Sequence, residues 1–169
     1  RAPRAGRRTA GPNTRRHTTM SANNGPGVRQ PGGGFGKGAA EADVYFHTDA
    51  LQAADKGAID VKRMWCDLLS ISGHKMNAPQ GVGALYVRKG TTLRPMLFGG
   101  SHERARRAGT ENVPGTVALG RAAGLSRAAG ARAGLDRVAG VPDRAGAWRS
   151  SLTSVTPSGI SGLRKAALA

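Results

Sequence analysis

The sequence predicts an α/β fold: a mainly parallel sheet flanked by helices. Two apolar runs and the segment between them carry this reading. Leu68-Leu69-Ser70-Ile71 has the length and branching of a buried strand and stops at the turn Ser72-Gly73-His74-Lys75. Val44-Tyr45-Phe46-His47-Thr48 is a second strand-like run, ending in Asp49-Ala50-Leu51-Gln52. Residues 53–64 place Ile59, Val61 and Met64 among charges, as expected of a short parallel crossover that returns the chain to the sheet.

Both strands therefore end in chemistry. In open α/β sheets ligands bind at the carboxyl ends of the strands. An acid, an amide, a hydroxyl, an imidazole and an amine gathered there suit a phosphorylated cofactor. Lys75 follows a glycine turn and a histidine, where partial loss of hydration favours the neutral, nucleophilic amine. Each residue alone also fits a plain role, with Asp49 as an N-cap, Gln52 as a surface amide and His74 as a satisfied turn histidine. The functional reading rests on their combination and order.

Three stretches, FHTDALQAADKGAIDV, CDLLSISGHKMNAPQGVGALYVRKG and FGGSHERARRAGTENVPGTVALG, resemble the core of the pyridoxal-phosphate-dependent cysteine desulfurases, a class-V aminotransferase-like family. The resemblance runs over about residues 18–125 and implies part of the large domain of a fold-type-I transferase. It implies that Lys75 holds pyridoxal phosphate covalently and then moves the substrate α-proton, as the catalytic residue. It implies that Asp49 pairs with the pyridine nitrogen, and that Gln52 and Asn24 approach the phenolic oxygen. Ser72 and His74 match phosphate ligands, with Gly73 permitting close backbone approach. Thr110 matches a hydroxyl that reaches the phosphate bound by the other subunit of a homodimer.

The family reaction converts L-cysteine to L-alanine and passes sulfur to an enzyme cysteine, then to an acceptor or iron–sulfur scaffold protein. Cys66 does not match that cysteine, whose loop would fall beyond residue 169. It precedes the buried strand and reads as an inert packed thiol; as the single cysteine, it excludes an internal disulfide and a multi-cysteine metal site within this chain. The arginine that grips the substrate carboxylate and the histidine that stacks on the ring are also without a match, so the sequence reads as an internal fragment. A selenocysteine lyase, another class-V enzyme or a cofactor-binding remnant without turnover would share the same residues.

Composition sets further bounds. Lys and Arg number 26 against 10 Asp and Glu, a formal charge of +16, which ordinarily points to a polyanion. Aromatic residues are only 4% of the chain, too few for a base-stacking surface, so the charge alone does not argue for nucleic acid. A basic binding protein remains the non-enzymatic alternative. Residues 1–17 read as a basic disordered arm, and residues 126–169 as an Ala/Gly/Arg-rich segment without a usable motif. No stretch has the length of a membrane span, and the expected setting is cytoplasmic.

The intervening segments carry narrower expectations. Gly32-Gly33-Gly34 stands where the family begins a helix, and with Gly36 and Gly38 it predicts a weak or frayed one, each interior glycine costing about 1 kcal/mol against alanine. Phe35 is its main apolar anchor. The run resembles a Walker loop, but Pro31 and Gly38 occupy positions that would need Gly and Ser or Thr, which excludes a P-loop. Residues 81–87 read as a strand, 93–98 as a shorter extended piece, and 99–110 as a glycine-rich basic loop. Pro114 marks a helix start, with Val117, Leu119 and Leu125 on the helix.

Overall fold

The structure, a computed structural model, describes residues 11–136 other than 26 and 58, together with residues 167 and 168. Its main sheet is built from β1 (Arg16–Met20), β4 (Tyr45–Asp49), β5 (Leu68–Ser72), β6 (Gly83–Val87) and β7 (Ala167–Leu168), in that order. The β1/β4 and β4/β5 pairs are parallel, as the crossover reading requires. The sheet then turns antiparallel at β5/β6 and β6/β7. β2 (Ala22–Asn23) and β3 (Val28–Arg29) form a small antiparallel ribbon beside it.

Alternation along the strands sorts their side chains. Phe46, Thr48, Leu69, Ile71 and Ala84 are buried and belong to one face. Against that face lies α1 (Gly32–Glu41), whose Phe35 ring stacks on His17 at 5.5 Å, while His17 also meets Phe46 at 6.0 Å. Cys66, Met76, Leu119 and Ala122 extend the same core.

The glycine-rich segment is a formed ten-residue helix, which corrects the expectation of a weak or frayed one. The reason is close packing. A Cβ on Gly36 would overlap the Met64 carbonyl oxygen, and one on Gly32 would stand 2.7 Å from Met64 Cε. The glycines thus let the helix approach the crossover, and tertiary contact offsets their poor helix propensity.

Other boundaries also shift. β1 begins at Arg16, so Arg16 and His17 belong to the sheet although they were expected in the basic arm, while residues 1–10 lie outside the described ones. Residues 93–98 form no strand, and Met96 and Phe98 are almost fully exposed. α2 (Val113–Asp136) starts at the expected proline but is capped by Asn112, whose Oδ1 accepts the Gly115 N–H at 3.0 Å. It runs well past Leu125; residues 137–166 of the expected tail lie outside the described ones. Leu119 faces the core, whereas Val117 and Leu125 are exposed. No helix among the described residues is long and apolar enough to cross a membrane, and no cluster of His, Cys, Asp and Glu among them could hold a metal ion.

One carboxylate joins three central strands. Asp67 Oδ2 accepts the Phe46 N–H at 2.8 Å from β4, and its Oδ1 lies 3.3 Å from Arg88 Nη1, just past β6. Its own N–H donates to the Phe46 carbonyl, and its carbonyl accepts the Arg88 N–H. We expect Asp67→Ala to lower unfolding free energy by about 1–3 kcal/mol, because the buried Phe46 N–H loses its acceptor. A urea titration followed by circular dichroism checks this, and an unchanged midpoint would refute it.

Candidate active site

The site is built at the carboxyl edge of the parallel strands. Asp49 closes β4 and Ser72 closes β5, and the register sets Asp49 opposite Ser70. Ser21, just past β1, donates its N–H to the Asp49 carbonyl at 2.7 Å, and Ala50 donates to the Ser70 carbonyl at 3.0 Å. Three strand ends are therefore held level. Asp49 Oδ1 accepts the Leu51 N–H at 2.9 Å, an Asx turn that bends the chain away from the edge and fixes the carboxylate at its rim. Gln52 follows in this turn, half-buried.

Directly past β5, Gly73–Met76 forms a single 3-10 turn that carries His74 and Lys75. Ser72 Oγ and His74 Nδ1 lie 2.7 Å apart, so the two expected phosphate ligands are hydrogen-bonded to each other. Gly73 is required by close approach: a Cβ there would stand 2.9 Å from both Val82 Cγ1 and the Val82 carbonyl oxygen. The turn closes at Asn77, in the left-handed conformation with φ of 62°, and α2 packs against it. Met76 is buried, which anchors the turn and leaves Lys75 half-exposed and His74 exposed.

The structure therefore brings Asp49, Gln52, Ser72, Gly73, His74 and Lys75 to the ends of two adjacent strands. Asn24 stands in the turn between β2 and β3, three residues past Ser21, with its side chain exposed. Thr110 stands apart, exposed in the loop before α2, and no hydrogen bond among the described residues ties it to the strand edge. Neither Lys75 nor Gln52 makes a side-chain hydrogen bond or ion pair with another described residue. An amine and an amide without side-chain partners among the described residues, beside a carboxylate held by one backbone N–H and a hydroxyl–imidazole pair, make a donor set that fits a phosphorylated pyridine aldehyde.

Sequence reasoning passed over His47. Its Nε2 lies 2.7 Å from Ser70 Oγ, on the same face of β4 as Asp49. Burial, and next the Arg16 guanidinium, hold its pKa below the ordinary 6.5, while Asp49 pulls the other way. The alternation of polar residues in His47, Asp49, Ser70 and Ser72 was the available signal.

With this geometry in view, the comparisons decide the family. The model of the class-V aminotransferases matches residues 5–139, most of the chain. The chain belongs to the class-V aminotransferase family. Within it, the cysteine desulfurase IscS of Methanosarcina thermophila is 55% identical over 109 residues, covering 64% of this chain and 27% of that protein. Cysteine desulfurase 2 of Trichormus variabilis is 52% identical over 110 residues, covering 65% of this chain and 28% of that protein. Among solved structures, SspA in complex with cysteine superposes with a TM-score of 0.71 at 38% identity, over 80% of this chain and 40% of that one. A NifS-like protein gives a TM-score of 0.69 at 33% identity, over 73% of this chain and 34% of that one. The resemblance read from the motifs is thus a family relationship, and this class-V chain spans under a third of the length of these curated relatives.

Cys66 is fully buried, its Sγ 3.7 Å from the Val61 carbonyl oxygen, and burial pushes its pKa up to about 12. The inert-thiol reading follows: at neutral pH almost no thiolate forms. Native protein should resist iodoacetamide at about pH 8, near the pKa of a free thiol, and react after denaturation. Rapid native labelling, read by mass spectrometry, would refute this burial.

His47 gives a pH dependence with a definite sign. Its folded pKa lies below its unfolded one, so the unfolded chain binds the proton more tightly. Its contribution to stability is fully present above 6.5 and is lost as pH falls through the lowered folded value. Thermal midpoints should fall more steeply with acid in the wild type than in His47→Gln; parallel curves would contradict the assignment.

Proposed function

We propose that the chain is the cofactor-holding portion of a pyridoxal-phosphate-dependent cysteine desulfurase, an enzyme that turns L-cysteine into L-alanine and passes its sulfur on as a persulfide. The observation that carries this reading is Lys75, without a side-chain partner among the described residues, in a turn at the end of β5 beside the strand that ends in Asp49. When bound, pyridoxal phosphate supplies an electrophile for amines and an electron sink for the substrate α-carbon.

The chain's own groups divide the work. Lys75 Nζ would be the covalent anchor for the cofactor and the base that takes and returns the substrate α-proton. Asp49, its carboxylate steadied by the Leu51 N–H, would pair with the pyridine nitrogen and keep the proton there. Gln52 and Asn24 would donate amide hydrogens toward the phenolic oxygen. Ser72 and His74 bind the phosphate, and Gly73 keeps the turn close enough to Val82 for them to stay at the edge. Thr110, exposed on its loop, is assigned to a phosphate held by a second copy, so the working unit is a homodimer.

Sulfur uptake needs a thiolate. Cys66 is the chain's single cysteine and is buried away from the edge, so the acceptor thiol belongs to no residue of these 169. The chain alone then binds the cofactor without completing sulfur transfer to an acceptor or iron–sulfur scaffold protein, in a cytoplasmic setting.

The expected result on adding pyridoxal phosphate is a yellow species, fixed by borohydride at Lys75 and absent in Lys75→Ala, as read by absorbance and peptide mass mapping. Label scattered over many lysines would sink the proposal.

A further inference from the structure

The polar face of the sheet holds one group that the scheme above leaves without work. Alternation puts Tyr45, His47 and Asp49 on one face of β4, and the register adds Ser70 and Ser72 from β5 and Arg16, Thr18 and Met20 from β1. His47 lies one strand step behind Asp49. It is bonded to Ser70, the residue directly across from Asp49. The hydroxyl nearest the carboxylate in the ladder is thereby turned to the imidazole, and the Asp49 carboxylate accepts its hydrogen bond from the Leu51 N–H.

Charge makes the arrangement consequential. The ionisable groups that act on His47 are Arg16 on β1 and Asp49 on its own strand; β5 contributes the uncharged Ser70 and Leu68. An imidazolium here would be a second cation beside a carboxylate needed by a pyridinium. Two cations sharing one carboxylate weaken each other, and the coupling is reciprocal.

We propose that His47 is a positioning residue for Asp49: bonded to Ser70 as a neutral imidazole, it fixes the β4–β5 edge that aims the carboxylate and leaves that charge to a cationic ring nitrogen. The proposal rests on the cofactor reading above and adds to it a residue and a pH response. Ser70 is the second half of the device, since without its hydroxyl the ring is free to turn toward Asp49 and compete for it.

The test measures affinity rather than turnover, on the full chain. Two probes are titrated by absorbance: pyridoxal phosphate, and 4′-deoxypyridoxine phosphate, which has no aldehyde and so reports the site without the bond to Lys75. His47→Gln keeps an amide for Ser70 but cannot take up a proton, and comparison with the wild type cancels the ligand's own titrations.

At about pH 8 the two proteins should bind alike, whereas by about pH 5, across the range in which histidine charges, the wild type should lose about tenfold more affinity than His47→Gln. Ser70→Ala, with the imidazole kept and its bond removed, should weaken both probes several-fold at the higher pH, and Ser70→Thr should restore them. Circular dichroism of each variant separates this from unfolding. Identical pH profiles for wild type and His47→Gln would overturn the positioning role while leaving the cofactor site standing. Failure of the wild type to bind either probe would instead overturn the cofactor reading itself.

Discussion

The parallel pairing of β4 with β5 is the constraint on which the rest of the structure depends. It sets Asp49 opposite Ser70 and so brings a carboxylate and a lysine-bearing turn to one edge, although 26 positions separate Asp49 from Lys75. Two bonds from the Asp67 region hold that pairing from behind, the Phe46 N–H to the carboxylate and the Asp67 N–H to the Phe46 carbonyl. One more holds it at the front, from Ala50 to Ser70, and the Ser21 N–H ties the end of β1 to the same edge through the Asp49 carbonyl. The edge is thus fixed by backbone, and the side chains that carry chemistry are left to face a ligand. This is the arrangement expected where a site needs precision without spending its functional groups on the fold.

Much of this was legible in the sequence because it is local. An apolar run that stops at Ser-Gly-His-Lys announces both a strand end and a lysine placed there, and the Asp49-to-Gln52 turn announces the neighbouring strand end. The parallel crossover followed from its length and sparse apolar residues. What could not be read is what depends on partners far away in the chain. Gly36 looks like a helix breaker until Met64 is seen against it, because propensity reports the isolated segment and not the space it must fit. Asp67 looks like a solvated acid until Phe46 and Arg88 close on it. The antiparallel entry of β6 depends on the tight turn after Gly73, which alternation alone does not specify.

The site's residues divide by the same rule. Asp49, Gln52, Ser72, Gly73, His74 and Lys75 lie within two short stretches, so their order could be matched to a family and their clustering follows from one strand pairing. Asn24 and Thr110 depend on longer routes, through the small β2/β3 ribbon and through the loop before α2, and both end exposed. Net charge was the least informative signal. A formal +16 is spread along the whole sequence, and a diffuse positive field raises the encounter rate of any anion without choosing among them. The proposal of a phosphorylated ring rests on the strand edge and not on the charge.

The two faces of the sheet show why the site tolerates so little slippage. On β4 the buried residues are Phe46 and Thr48, and the intervening His47 and Asp49 face the other way. On β5 Leu69 and Ile71 are buried and Ser70 and Ser72 alternate with them. A shift of one residue in either strand would carry a phenyl ring or an isoleucine out of the core and turn Asp49 or Ser72 inward. The hydrophobic set that stabilises the fold therefore selects the single register in which the polar set converges. Fold stability and site geometry are one constraint here, and the His47–Ser70 bond belongs to that register as much as Asp49 does: it can form only when the phenyl ring of Phe46 is in the core.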